Sequence, residues 1–374
     1  MSSISVSNPS LIKDVLHSYL VYTVESPDIP IPLIRGLKEF STLRQKLRSN
    51  WPGIIIPALP DISNEQEDVS TYINLFINGI ININELKQTE EVDVFLSTTP
   101  DLIQALNSIQ NETFEDIADK YEKLYSELYN DVDFDIKASK DQIRKYIEQF
   151  EKIYLSIKNY NNVLISANKN FNIEHVDNFN FLKLYTFHES ETISKYANSI
   201  DKLLILTQCK NNLTSIASQS KNPYESYLNN SFQEEQNILS LIEALQSLEI
   251  IYDKYEQIRN HLTIIENRMK EMVNSKNNWL SYLTLKSPEQ EFNELTNDKL
   301  LAEVELTSMK TILKYAYGKL CKEIKDLKEK GMKMYYEMIS DVAEKSLGNI
   351  KLMEDYWEKV EERFKGICGE NEKK

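Results

Sequence analysis

No glycine occurs between Gly79 and Gly318, and after Pro100 the only prolines are Pro223 and Pro288. This scarcity constrains the fold more than any other feature, because glycine and proline are the residues that most often end helices. The residues in between are rich in Glu, Lys, Leu, Ile and Gln, so long helices are predicted for most of the chain after Pro100. The two prolines mark helix starts. In SPEQ (287–290), Ser287 can act as N-cap, Pro288 takes the first helical position and Gln290 completes a capping box. Residues 224–287 would make about 95 Å of helix. A compact globule cannot hide such a rod, so other long helices must cover its apolar face.

The spacing of apolar residues agrees. Ile238, Leu241, Leu245, Leu248, Tyr252 and Tyr255 recur at alternating intervals of three and four, and Ile258, Leu262, Ile265, Met269 and Met272 resume the pattern after a short stammer. That is a coiled-coil seam. Three helices are expected, over about 134–218, 223–285 and 288–367. The first should be kinked near ANKNFNIEHVDNFN (167–180), where asparagines weaken helix propensity. The first hundred residues look different. HSYLVYTV (17–24) has the β-branched and aromatic residues of a strand, EFSTLRQKL spaces Phe40, Leu43 and Leu47 at helical intervals, and YINLFINGI and EVDVFL read as short helices. The expected organisation is a small α+β domain over 1–98, a linker with an amphipathic helix over 99–133, and an all-α region over 134–374.

At 374 residues with a net charge of −15, the chain suits two domains and disfavours nucleic acid, which demands a strongly basic face. Cys209, Cys321 and Cys368 are widely separated and form no CxxC pair, which fits free thiols in a reducing compartment. No apolar run is long enough to cross a bilayer, and MSSISVSNPSLIKD lacks the basic-then-apolar pattern of a signal peptide. A cytoplasmic or peripheral membrane protein is expected. His17, His175, His188 and His261 do not stand at metal-ligand spacing, and no glycine-rich phosphate loop, GxSxG or HExxH occurs. Neither an enzyme, nor a cofactor, nor a metal site is expected.

IRGLKEFSTLRQKLRSNWPGIIIPALPDI (34–62) resembles the core of a PX domain, the phosphoinositide-binding module of sorting nexins. Arg35, Glu39 and Phe40 match the family's Arg-Arg-aromatic-Ser-acidic-Phe pattern, and Leu43, Leu47, Ile56, Pro57, Leu59 and Pro60 match the helix and proline-rich turn that follow. A PX domain followed by three long helices resembles a sorting nexin of the PX–BAR type, and MEDYWEKVEERF (353–364) is similar to the end of that family's last helix. The resemblance implies a small antiparallel sheet with helices, followed by a three-helix BAR coiled-coil dimerisation domain.

The departures from the pattern carry as much information. The resemblance places a phosphate-gripping Arg at Gly36, a ring-stacking aromatic at Leu37 and a Lys near Ile62, and residues 61–86 contain no Lys or Arg at all. Arginine and lysine are what hold a phosphate firmly. The lipid pocket is therefore expected to be degenerate, keeping Arg35 and Lys38. Arg44, Lys46 and Arg48 complete either a nonspecific basic patch or an ordinary solvated helix face. The resemblance also implies that such sorting nexins pair with a partner that keeps the pocket.

Membrane contact then has to come from the helical region. In KTILKYAYGKLCKEIKDLKEKGMK (310–333), Lys310, Lys314, Lys322, Lys325, Lys328 and Lys333 fall within an arc of about 140°, apart from an apolar stripe that includes Leu313, Tyr317, Leu320, Ile324, Leu327 and Tyr335. Glu323, Asp326 and Glu329 are interleaved, so a plain solvated face is the competing explanation. At NSKNNWLSYLTLK (274–286), which the resemblance makes the tip of the BAR dimer, Lys276, Lys286 and Trp279 can meet a bilayer, or Trp279 can pack the helix ends together. The linker helix places Phe114, Ile117, Tyr121, Leu124 and Leu128 on one side and acids on the other, which favours docking on the helical bundle over insertion into an anionic membrane.

Two functions follow. One is a peripheral sorting nexin on endosomal membranes that forms homo- or heterodimers with another sorting nexin, senses or induces curvature, and supports endosome-to-Golgi retrieval of cargo with a retromer-type complex. The other is a soluble coiled-coil scaffold whose PX-like domain binds proteins rather than lipid.

Overall fold

The structure is a computed structural model, and it describes residues 4–13, 18–28, 30–59, 69–129, 134–196, 219–274 and 288–371. It begins with β1 (Ser5–Lys13), β2 (Ser18–Glu25) and β3 (Leu33–Gly36), an antiparallel sheet in that order. Ser5 pairs with Glu25 and Lys13 with Ser18, with a bulge between Ser7 and Ser10; Val24 pairs with Leu33 and Val21 with Gly36. Six helices follow in the same half of the sequence or lead out of it: α1 (Leu37–Asn50), α2 (Ser70–Asn82), α3 (Glu90–Phe95), α4 (Leu102–Ser108), α5 (Phe114–Tyr129) and α6 (Ile136–Tyr196). Two more follow among the described residues, α7 (Tyr224–Asn274) and α8 (Pro288–Asn371).

The sheet is buried on one face because Tyr22, Val24 and Leu33 alternate with more exposed residues and meet Phe40, Leu43 and Leu47 of α1 and Ile73, Phe76, Ile77 and Ile80 of α2 in one buried apolar set. The Phe40 ring lies 5.0 Å from Phe95 and 6.3 Å edge-on from Phe76. Burying a side chain of this size stabilises the fold by about 2–3 kcal/mol. Asn78 ties α2 to the start of β1: its Oδ1 accepts from Ile4 N–H at 3.0 Å and its Nδ2 donates to Ile4 O at 2.7 Å. Helix α5 opens with a reciprocal cap, Thr113 N–H to Asp116 Oδ2 (3.0 Å) and Asp116 N–H to Thr113 Oγ1 (3.2 Å).

The prolines behave as their chemistry dictates. Helix α8 starts on Pro288, and α7 starts on the residue after Pro223, with Asn222 Oδ1 accepting the Tyr224 N–H at 2.9 Å. Ser287, the expected cap of α8, lies outside the described residues, as do 197–218 and 275–287 of the expected helices. Helix α6 runs unbroken through 167–180, so the asparagines there do not end it.

The chain divides into two compact units. The first holds Met1–Tyr154 with Gln236–Leu327, and the second holds Leu155–Glu235 with Lys328–Lys374. In the first, the seam residues Ile238, Leu241, Leu245, Leu248 and Tyr252 are buried together with Ile143, Ile147 and Phe150 of α6 and Met309, Ile312, Leu313, Ala316, Leu320 and Ile324 of α8. Ion pairs rim this layer, with Lys140 to Asp253 (2.9 Å) and Glu256 (2.7 Å), Arg144 to Glu249 (2.8 Å) and Lys254 to Glu305 (3.3 Å). In the second unit, Leu164, Tyr227 and Met338 form a core flanked by Tyr224, Leu228, Met334, Tyr335 and Val342. There Asn161 Nδ2 donates to Glu235 Oε2 at 2.6 Å.

Candidate lipid-binding and docking surfaces

Arg35 is the second residue from the end of β3, on its inward-facing side, and it is buried. Its Nε and Nη2 donate to Phe95 O at 3.1 and 2.9 Å, Nη2 also to Ser97 O, and Nη1 to Ile34 O at 3.0 Å. The guanidinium carbon stands 5.6 Å from the centre of the Phe95 ring. Phe95 is the last residue of α3, whose final carbonyls have no partner within the helix, and a forked cation satisfies them. Burial lowers the Arg35 pKa from its ordinary value, with Glu39 opposing the shift.

The other cations of this stretch divide by exposure. Arg44 Nε donates to Pro57 O at 2.8 Å, and its guanidinium pairs with Glu243 of α7. Arg48 reaches the same carboxylate at 3.5 Å. Lys46 donates to Ile109 O at 2.9 Å and Asn111 Oδ1 at 3.1 Å. Lys38 is exposed. Four of the five cations therefore bind carbonyl, amide or carboxylate oxygens of the protein. Neither a free basic patch nor a plain solvated face describes them. Gly36 and Leu37, where the resemblance calls for Arg and an aromatic, are half-buried at the β3–α1 junction.

What lies beyond α1 explains where those cations point. The turn after α1 inserts against α7 and α8: Gly53 N–H donates to Ser247 Oγ at 2.8 Å, and a Cβ on Gly53 would stand 2.8 Å from both Ala316 Cβ and Leu248 Cδ2. Gly79 allows a second close approach, since a Cβ there would meet Pro57 Cγ at 2.6 Å. Helix α5 closes the layer. Trp51 stacks on Tyr121 at 6.1 Å, Tyr121 donates to Pro52 O at 2.7 Å, and Lys120 Nζ lies 3.8 Å above the Trp51 ring. Tyr125 donates to Glu85 Oε1 at 2.9 Å, and Lys319 of α8 pairs with the same carboxylate. Burial drives the Tyr121 and Tyr125 phenols far above their ordinary pKa, so both remain donors at any physiological pH.

The buried side of α5 is Ile117, Ala118, Tyr121 and Tyr125, whereas Leu124 and Leu128 of the expected stripe are 43% and 67% exposed. The apolar spacing marked a helix with one greasy side; the tyrosines fixed which way it turned. A groove of about 640 Å³ beside Trp51 sets Glu85, Glu90, Glu91, Glu112, Asp116 and Asp119 against Lys120 and Lys123. Its surplus negative charge disfavours a phosphate ligand.

On α8, Lys310, Lys322 and Lys325 are exposed in the first unit, and Lys328 and Lys333 in the second. Lys314 is half-buried, its Nζ 5.3 Å from the Tyr315 ring. Lys333 faces Glu337 at 3.8 Å across one helical turn. Lys319 belongs to none of this, because it is buried against Glu85. Around residues 309–320 the helix is buried on more than the single expected stripe, with Met309, Ile312, Tyr315 and Ala316 joining Leu313 and Leu320. Lys276, Lys286 and Trp279 lie outside the described residues. Among the described residues, no group of His, Cys, Asp and Glu is placed to hold a metal ion, and no helix is long and apolar enough to cross a membrane.

No family model matches the chain. Sorting nexin 1 of Arabidopsis thaliana is 24% identical over an aligned region covering 45% of this chain and 45% of that protein, so the chain matches less than half the length of this curated relative. The cryo-EM structure of the SNX-BAR Mvp1 tetramer superposes on 96% of this chain and 100% of that chain, with a TM-score of 0.56 and 18% identity. The architecture is a PX-type sheet with its helices followed by an all-helical BAR region.

Proposed function

We propose that this chain, which carries the PX–BAR fold of the sorting nexins, is a peripheral membrane protein that dimerises through its BAR helices, holds an anionic surface with the lysines of α8, and senses or imposes curvature. One observation carries this reading. In the second unit α8 exposes Met332, Tyr336, Ile339, Leu347, Ile350 and Trp357, each 50–71% accessible. Met332 and Ile339 are one heptad apart, Tyr336 and Ile350 two, and Ile350 and Trp357 one. An apolar ridge of that length, at coiled-coil spacing, needs a facing helix. A second copy, or another sorting nexin with the same kind of ridge, supplies it.

The exposed lysines support the membrane half of the proposal. Each Lys near an anionic leaflet contributes about 1 kcal/mol. Five exposed lysines on one helix, doubled in a dimer, hold a bilayer without a headgroup pocket. The binding set is Lys310, Lys314, Lys322, Lys325, Lys328 and Lys333, with Lys276 and Lys286 as tip contacts. Residues 1–98 then serve as a PX-like module, 99–133 as linker and 134–374 as the BAR domain. The bonds of Arg35 to Phe95 and Ser97 favour a structural role for it, whereas Lys38 is exposed. We place the protein on endosomal membranes, in cargo retrieval with a retromer-type complex. Mvp1 is a tetramer, and an assembly of two dimers is compatible with the same ridge.

Sedimentation velocity tests the carrying observation. The full chain should run as at least a dimer at micromolar concentration, and Ile339→Glu with Ile350→Glu should return it to a monomer with unchanged helicity. A wild-type monomer that ignores vesicles would instead favour the scaffold reading, for which the acidic groove beside Trp51 is the supporting observation.

A further inference from the structure

The first unit contains a charge cluster, buried at Lys319 and half-buried at its two carboxylates, that neither docking nor membrane binding requires. Lys319 of α8 is one ammonium serving two carboxylates. It pairs closely with Glu85, in the segment between α2 and α3, and stands 3.4 Å from Glu323 one turn along its own helix. The two acids are not equivalent. Glu85 also accepts the Tyr125 hydroxyl at 2.9 Å, so it has two donors. Glu323 has only the longer contact, and its Oε2 is sealed from solvent and meets no hydrogen-bond donor among the described residues.

We propose that Glu323 is a proton-operated latch: taking up a proton tightens the seam between α8 and the layer formed by α5 and the α2–α3 segment, and releasing it loosens that seam. The groups facing this carboxyl are few. Lys319 and Asp326 come from its own helix, Glu85 from the α2–α3 segment, and Tyr121, Tyr125 and Tyr129 from α5. Among the described residues, Lys319 is the positive group that acts on it. With Glu85 and Glu323 both ionised, the half-buried cluster carries excess negative charge, and the like-charge cost falls on the acid with fewer donors. Burial and the neighbouring acids raise the Glu323 pKa above the ordinary carboxylate value, with Lys319 opposing them. The same ammonium and the Tyr125 hydroxyl hold the Glu85 pKa down against its own burial. Lys319 keeps its proton, because both carboxylates raise its pKa against burial.

The sign follows from linkage. A folded chain that holds the Glu323 proton more tightly than the unfolded chain has its full stability below the ordinary carboxylate pKa of about 4.3. It loses stability as pH rises through the higher folded value. The seam is thus tightest in mild acid, opposite to the usual behaviour of a salt-bridged carboxylate.

Hydrogen exchange of the full chain, read by mass spectrometry on peptides covering 114–129 and corrected for intrinsic exchange, tests this from about pH 4, below the ordinary carboxylate value, to about pH 8. Protection of α5 should fall severalfold as pH rises in the wild type. Glu323→Gln should keep the acid-state protection throughout. Wild-type protection that is flat, or that rises with pH, overturns the proposal, and this arm needs no variant to fold. A Glu323→Gln chain that loses α5 protection with pH as steeply as wild type also overturns it, because another group would then be titrating. Thermal midpoints provide the second readout: the advantage of Glu323→Gln over wild type should widen as pH rises.

Discussion

Replacing Gly53 with alanine should be among the most costly single-methyl additions in this chain. The residue has φ of 79°, a left-handed conformation that costs an L residue about 1–2 kcal/mol. The added methyl would then stand 2.8 Å from Ala316 Cβ, which is fixed to the α8 backbone, and 2.8 Å from Leu248 Cδ2. Leu248 is fully buried, so overpacking adds about 1–3 kcal/mol. Together these give a loss of about 2–5 kcal/mol. Urea unfolding of the full chain, followed by far-ultraviolet circular dichroism, measures it. The structural cause can be isolated with Leu248→Ala, which alone should cost about 2–5 kcal/mol. Because that truncation removes one of the two clashing atoms, the double variant should be more stable than the sum of the singles predicts, by about 1 kcal/mol. Strict additivity, or a Gly53→Ala chain as stable as wild type, would mean that the turn after α1 does not press into α7 and α8.

Arg35→Met should destabilise the full chain by about 1–3 kcal/mol, because it leaves Phe95 O and Ser97 O without a donor; the measurement is again a urea midpoint, with anionic vesicle binding expected to be unchanged. Arg35→Lys should rescue only part of the loss, since an ammonium cannot fork across two carbonyls. Lys319→Met should cost about 3 kcal/mol at neutral pH by stranding Glu85 and Glu323, and pairing it with Glu323→Gln should recover part of that loss. A Lys319→Met chain with an unchanged midpoint would place the seam's stability elsewhere.

Much of this architecture was legible from punctuation alone. Pro223 and Pro288 marked the starts of α7 and α8, and the intervals from Ile238 to Tyr252 named residues that are all buried. The strand expected over 17–24 and the helix around Phe40, Leu43 and Leu47 were equally visible, the first from its β-branched and aromatic residues and the second from its 3.6 period. Periodicity cannot reveal which neighbour a face meets. Arg44 and Lys46 read as surface cations because their partners Glu243 and Ile109 lie 199 and 63 residues further along. Lys319 falls outside the arc of the other lysines, but only the fold brings Glu85 and Tyr125 against it. The asparagines of 167–180 lower helix propensity, yet α6 continues through them, and propensity is a weak prior once a helix is long and packed. The departures at Gly36 and Leu37 were plain in the sequence. That Arg35 would bind the end of α3 was not, because nothing local ties β3 to residues sixty positions away.

The claim that the lysines of α8 hold the bilayer while the PX-like segment serves as packing is tested most directly by vesicle co-sedimentation of the full chain. Wild type should bind phosphatidylserine vesicles equally well with and without phosphatidylinositol 3-phosphate, and Lys322→Glu with Lys325→Glu should abolish binding to both while the protein stays folded and dimeric. Binding that requires the phosphoinositide and survives the charge reversal would contradict it.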